Sequence, residues 1–352
     1  MTYHKRGTEE TRAQRHSGTG RRGLFRAAVP LCLCATLFSC SSGKTPLVIY
    51  SPHGRDLLGL LERRFEADNP GVDVRWLDMG SQDVYDRIRS ERANPQADLW
   101  FGGPHVLFAR AARESLLAAT AGDTLWVSVY RTPAVIAYNS QRVDSATAPH
   151  DWEDVLDPRW RNKVLIRDPV ASGTMRAIFG MIMERSLRTT GDTAQGAAWL
   201  RRLDAQTKEY VFHGTLLTEK IGRQEGLITL WDLPDLLLTI RSGRPLGYTF
   251  PSSGTPVIDD AIAVVRGSPN AELARTYAAW VRSPAIQILA AREALRLPAR
   301  HDLPADSLPP WVRDVEARMV ADPMDWDVLE REGPGWMSYW DRHIRGSGRR
   351  ER

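Results

Sequence analysis

The chain reads as an α/β protein built on parallel sheets covered by helices on both faces. Three observations predict this. Short apolar strands alternate with amphipathic helices along most of the 352 residues. Strand after strand ends in small or polar residues and is followed at once by a helix. If a leader of 40 residues is removed, 312 of the 352 remain, long enough for two lobes of ordinary size.

The elements follow in order. Leu47 to Tyr50 is a buried strand that breaks at Ser51-Pro52-His53-Gly54. The helix after it carries Leu57, Leu58, Leu61 and Phe65 on one face and stops at Asn69-Pro70-Gly71. Val72, Val74 and Trp76 alternate with Asp73 and Arg75, a second strand. Gly80-Ser81 opens the next helix, with Ser81 expected as N-cap and Asp83 in the first turn. Leu99 to Phe101 is a third strand, ending at Gly102-Gly103, and Pro104 suits the first helical position beyond it. The middle of the chain repeats the scheme. Val164 to Ile166 leads through Asp168-Pro169 and Ser172-Gly173-Thr174 into a helix from Met175. Leu227 to Leu230 leads into Trp231-Asp232 and a helix ending near Ser242-Gly243. Trp311 to His343 reads as helical, and the chain from Gly346 onward as a frayed tail.

The amino end is of another kind. Seven basic residues, Lys5 to Arg26, precede an apolar run from Ala27 to Phe38, too short for a membrane span. Leu37-Phe38-Ser39-Cys40 closes the run and resembles a lipobox, which implies cleavage and acylation at Cys40. Arg21-Arg22-Gly23-Leu24-Phe25 also allows a twin-arginine export signal. All three cysteines, Cys32, Cys34 and Cys40, lie here, so neither disulfides nor thiol chemistry are expected in the rest. Of 47 basic and 43 acidic residues, seven and two fall in this leader; the remaining 40 and 41 give a net charge of −1. A basic footprint for nucleic acid is excluded on that balance.

The recurrent strand-end turns carry the functional argument. They stand at Ser51 to Gly54, Gly80-Ser81, Gly102-Gly103 and Ser172 to Thr174, with a variant at Trp231-Asp232. A helix N-terminus offers unpaired N–H groups and partial positive charge. In open α/β sheets the ligand crevice lies beyond the carboxyl ends of the strands. Several such turns facing one gap would hold a polar, anionic group.

Five segments carry a family resemblance: LVIYSPHG (47–54), NPQADLWFGG (94–103), DWEDVLDPRWRNKV (151–164), DPVASGT (168–174) and GYTFPSSGTPVIDDAIAVVRGSPN (247–270). On these the chain resembles the extracellular solute-binding proteins of the ferric-iron, phosphonate, thiamine and sugar-phosphate uptake group. The resemblance implies a two-lobed type II periplasmic-binding-protein fold with two hinge crossings, expected at Tyr130 to Tyr138 and Phe250 to Val257. Its expected divisions are a signal peptide (1–40), a linker (41–46), lobe one (47–133 and 256–345), lobe two (134–255) and a disordered tail (346–352). It implies a periplasmic, lipid-anchored monomer that captures a small solute and delivers it to an inner-membrane ABC permease, without a cofactor.

Within that frame Ser51, His53, Gly54, Ser81 and Gly103 are expected on lobe one's side of the cleft. Ser172, Gly173 and Thr174 are expected to donate from lobe two. Trp231 would flank a ring or carbon chain, and Asp232 would take an amine or hydroxyl. Arg167 and Arg176 suit a phosphate or phosphonate but are read as exposed. The group's iron-binding members carry adjacent tyrosines where this chain has Trp231-Asp232-Leu233-Pro234-Asp235, so a phosphorylated or phosphonate solute is preferred to iron and no metal site is assigned. Iron, thiamine, polyamine and a sugar stay as alternatives of the same fold.

An exported hydrolase is the alternative from another class. The chain has no G-x-S-x-G elbow, no P-loop and no H-E-x-x-H, and its histidines lack metal-ligand spacing. Gly18 to Gly23 matches a dinucleotide fingerprint by letters alone, and Ser41 to Lys44 matches S-x-x-K beside the proposed anchor.

Overall fold

A computed structural model describes residues 43–347. The leader with its expected cleavage and acylation at Cys40, and residues 348–352, lie outside the described residues.

The first third alternates as expected. Strands β1 (Thr45–Ser51), β2 (Val72–Asp78) and β3 (Leu99–Pro104) are separated by helices α1 (Arg55–Asp68) and α2 (Ser81–Ser90), and α3 (His105–Arg113) follows. β1 lies between β2 and β3 and is parallel to both. α1 buries Leu57, Leu58, Leu61 and Phe65 on one face. It stops where the Asn69 side-chain amide and backbone N–H both donate to the Phe65 carbonyl, at 2.9 and 2.8 Å. Two boundaries shift by one residue. The N-cap of α2 is Gly80 rather than Ser81, and Pro104 closes β3 rather than opening α3.

The middle of the chain builds a second body. β4 (Leu117–Ala118) precedes the long β5 (Val127–Asn139). Then come β6 (Val164–Arg167), α4 (Gly173–Thr190), α5 (Ala194–Gln206), β7 (Thr207–Val211), α6 (Gly214–Gly222), β8 (Ile228–Asp232), α7 (Leu233–Arg241) and β9 (Leu246–Thr249). β6 is parallel to both β7 and β8, and β6 and β8 are buried along their whole length, as strands covered on both faces are. α4 begins at Gly173, two residues before the expected Met175, and its N-cap Ser172 accepts a hydrogen bond from the Met175 N–H at 3.2 Å.

The expectation of purely parallel sheets is corrected where the chain passes between bodies. β10 (Val257–Val265) runs antiparallel to β3 and to the first half of β5. The second half of β5, from Ala134, runs antiparallel to β8 and β9. β5 thus leaves one sheet and enters the other inside the expected Tyr130–Tyr138 crossing. Residues 250–256 join β9 to β10 as the second crossing. A strand that arrives from the opposite body enters from the far end, so it must run against its neighbours.

The apolar cores follow the two sheets. Two clusters flank the first sheet, one with Leu47, Leu61, Phe65 and Tyr277, the other with Tyr85, Trp100 and Phe108. Helices α8 (Ala271–Val281) and α9 (Pro284–Glu293) cover the first of these. The second body has one cluster, and it includes Val312, Val315, Leu329, Met337 and Trp340. After β11 (Leu297–Pro298) the chain therefore returns to the second body through α10 (Pro310–Arg318) and α11 (Trp326–His343). The expected division kept these helices with lobe one. Their apolar faces instead complete the other core, with Trp340 edge-on to Phe179 at 5.4 Å and to Tyr210 at 5.3 Å. The stretch Trp311 to His343, expected to be helical, forms two helices separated at Met319–Asp325. Gly346, assigned to the tail, donates its N–H to Asp204 at 2.8 Å.

Candidate functional site

Six strand ends from the two sheets open into one cleft. The first sheet supplies the turns after β1, β2 and β3; the second supplies those after β6, β7 and β8. The cleft encloses about 290 Å³ and is lined on one side by Pro52, Gly54, Asp78, Met79, Ser81 and Asp83. Arg167, Ser172 to Thr174, Phe212 to Thr215, Trp231, Asp232 and Asp235 line the other. A smaller polar chamber of about 50 Å³ adjoins it, among His53, Gly103, Thr132, Asp260 and Arg296. Ser81, Thr174, Asp232 and Asp235 border both spaces.

The cationic end of the cleft is built by β6. Arg167 is its last residue and is only 6% exposed. Its guanidinium lies 5.3 Å from the Phe212 ring, and Nη1 has no hydrogen-bond partner. Burial lowers its pKa, opposed by the charges of Asp168, Asp83 and Asp78. Around it stand the first N–H groups of two helices. Those of Gly173 and Thr174 in α4, and of Gly214 and Thr215 in α6, have no acceptor among the described residues. Trp231, 6% exposed, has an unpartnered indole N–H and packs against Gly214. Buried donors without partners are costly unless something accepts from them.

The floor of the cleft has the opposite character. Asp232 caps α7 by accepting from the Asp235 N–H at 3.0 Å. Burial first, and then the Asp235 charge, hold its carboxyl well above the usual range, against the pull of Arg296. Asp260 accepts from the Gly103 N–H at 2.8 Å and from the Thr132 hydroxyl. Burial raises its pKa too, while those two bonds act against the rise. Arg296 is buried, pairs with Asp235 at 3.3 Å and leaves Nε without a partner. Three carboxylates therefore face one guanidinium here. Burial, then repulsion from Arg296, depresses the His53 pKa well below its ordinary value, so its ring is neutral. That ring lies edge-on to Phe101 at 4.9 Å and presses on the backbone at Gly102. Gly102 has a φ of +100°, and a Cβ there would stand 2.5 Å from His53 Nε2, so glycine is required twice over.

The structure brings nine of the ten expected residues to these two spaces: His53, Gly54, Ser81, Gly103, Ser172, Gly173, Thr174, Trp231 and Asp232. Ser51 does not reach them. It is fully buried, donates to the Phe101 carbonyl at 2.6 Å and accepts from the His53 N–H at 3.1 Å, so it holds the turn in shape. Arg167, read as exposed, is buried in the cleft. Arg176 is half-buried and outside it, donating to the Val170 carbonyl at 2.6 and 3.0 Å. Sequence reasoning missed Phe212 to Thr215, although Val211-Phe212-His213-Gly214-Thr215 has the same strand-end signature as the turns it counted. It also missed Asp78, Asp235 and Arg296, which no local pattern marks.

The model of a family described as bacterial extracellular solute-binding protein matches residues 113–320. The chain belongs to that family. This solute-binding protein is the solute-capturing component of an ABC import system. It is 24% identical over 322 residues to a probable ABC transporter periplasmic-binding protein of Sinorhizobium fredii, covering 85% of this chain and 86% of that one. It is 26% identical over 253 residues to a protein of Salmonella typhimurium provisionally named 2-aminoethylphosphonate-binding and periplasmic, covering 67% and 72%. Among solved structures, AfuA of Actinobacillus pleuropneumoniae with fructose 6-phosphate bound superposes with a TM-score of 0.74 at 22% identity, covering 86% and 99%. The two-lobed type II periplasmic-binding-protein fold is the one the chain adopts.

Proposed function

We propose that this solute-binding protein captures a small organic phosphate or phosphonate, seats its anionic group against Arg167, and delivers it unchanged to an inner-membrane permease. One observation carries the reading. A guanidinium is buried at the end of β6 with a free Nη1, among four unpaired helix N-terminal N–H groups. Guanidinium forks and helix N-termini both match a phosphoryl or phosphonyl group. The names of two relatives, a 2-aminoethylphosphonate-binding protein and a fructose 6-phosphate complex, support the same class.

The far end of the solute would meet Asp232 and Asp235, whose carboxyl groups suit an amine or hydroxyls. Ferric iron is disfavoured because no tyrosine lines either space among the described residues. We place the protein in the periplasm, held by a lipid on Cys40. The lobes follow the cores, with residues 43–133 and 257–298 in one and 134–249 and 310–347 in the other.

The test is isothermal titration of 2-aminoethylphosphonate, fructose 6-phosphate and inorganic phosphate into the parent and Arg167→Met. At least one probe should bind the parent and be lost in the variant, and mass analysis should recover it intact. Binding of ferric ion in preference to all three probes would defeat the proposal, as would turnover of a bound probe.

A further inference from the structure

Two glycines that line the cleft lie where the lobes touch. Gly80 and Ser81 begin α2 on the first lobe; Ala171 to Gly173 lead into α4 on the second. The Gln82 N–H donates to the Ala171 carbonyl at 3.4 Å, a backbone-to-backbone bond between lobes. A Cβ on Gly80 would stand 2.5 Å from that carbonyl oxygen. A Cβ on Gly173 would stand 2.6 Å from Pro104 Cδ and 2.7 Å from Ser81 Oγ, both on the first lobe. These approaches are about 1 Å inside the ~3.5 Å optimum for non-bonded heavy atoms.

Neither glycine is there for its own backbone. Gly80 has φ −58° and ψ 149°, open to any residue. Gly173 has no positive φ either. What each position excludes is a side chain facing the opposite lobe. The obstacle at Gly80 is a main-chain carbonyl, which cannot swing aside as a side chain can.

We infer that Gly80 and Gly173 are the positioning residues of lobe closure. They let two helix starts, one from each lobe, meet main chain to main chain. A single methyl at either position props the lobes apart. The inference holds whatever solute the cleft takes.

Gln82 reports the contact directly. Its N–H is in the first turn of α2 and has no acceptor within its own helix, so only the Ala171 carbonyl can protect it from exchange. Amide hydrogen exchange at Gln82 and small-angle scattering are measured for the parent, Gly80→Ala, Gly173→Ala and a control, Gly71→Ala. A Cβ at Gly71 meets nothing within 4 Å. Each protein is measured alone and with 2-aminoethylphosphonate or fructose 6-phosphate.

In the parent and the control, the Gln82 amide should be protected in at least one condition, with the smaller radius. In Gly80→Ala, protection should drop by on the order of tenfold or more and the larger radius persist in every condition, while melting stays cooperative. Gly173→Ala should behave alike, and it keeps the test open if the first variant does not fold. Parent-like protection and radius in either folded variant would overturn the inference. So would a parent whose Gln82 exchanges as a free amide in all conditions.

Discussion

Replacing Arg167 by Met separates a ligand-holding role from a structural one, because the two predict opposite signs for the free protein. Arg167 is 6% exposed, and its Nη1 has no partner. An unsatisfied buried donor costs about 1–3 kcal/mol. Met preserves much of the packed stem and removes that donor. Against the gain stand the contact with the Phe212 ring, worth about 0.5–2 kcal/mol, and attraction from Asp168, Asp83 and Asp78. The expected net for the free protein is no loss, and a gain on the order of 1 kcal/mol, roughly a 2 °C rise in melting temperature for a chain this long. Binding should respond the other way. Two charge-assisted hydrogen bonds from one guanidinium are worth about 3 kcal/mol together, or roughly 150-fold in Kd. The assay is thermal melting of the free protein paired with calorimetric titration of 2-aminoethylphosphonate and fructose 6-phosphate. The reasoning is refuted if the variant binds within about threefold of the parent. It is equally refuted if the free variant loses more than about 1 kcal/mol, which would mark Arg167 as a structural cation.

Three further outcomes follow from the site and the core. Asp232→Asn should stabilise the free protein near neutral pH. A carboxyl whose folded pKa is raised takes up a proton on folding, so the parent loses stability as pH rises above the unfolded value of about 3.9. Asn keeps the cap on Asp235, and chemical denaturation at several pH values should show its advantage vanish near pH 4 and below. His53 contributes the opposite slope, drawing stability down as pH drops below about 6.5, since the unfolded side chain accepts a proton that the buried ring refuses. His53→Gln should flatten that slope in part, with His105, also lowered by burial, supplying the remainder. Trp340→Ala should cost about 3–5 kcal/mol, because its ring is 1% exposed against Phe179 and Tyr210. A loss under about 1 kcal/mol in denaturant titration would show that α11 does not complete the second core.

Local pattern was enough to find most of the elements. The apolar stripe of Leu57, Leu58, Leu61 and Phe65 and the stop at Asn69 are set by residues within a few positions of one another, and α1 forms as they dictate. The strand-end turns at Ser51–Gly54, Gly80-Ser81, Gly102-Gly103 and Ser172–Thr174 were legible for the same reason, and with them most of the cleft lining. The exceptions are instructive. Ser51 has the composition of a ligand contact, but its hydroxyl is spent on the Phe101 carbonyl, fifty residues away. Arg167 looks like any arginine at the end of a strand. It is buried because α4, α6 and the first lobe close around it.

What the sequence by itself determined is the alternation of strands and helices, the small-residue turns at the strand ends, and the absence of the familiar nucleophile and phosphate-loop motifs. Those properties are written in neighbouring residues and need no fold to be read. Only the tertiary structure decided that β5 changes sheets at Ala134, that α11 completes the second core, and that Arg167, Asp232 and Asp235 line one cleft. Each of these brings together residues far apart in the chain, where burial and charge are set by long-range packing that leaves no local trace.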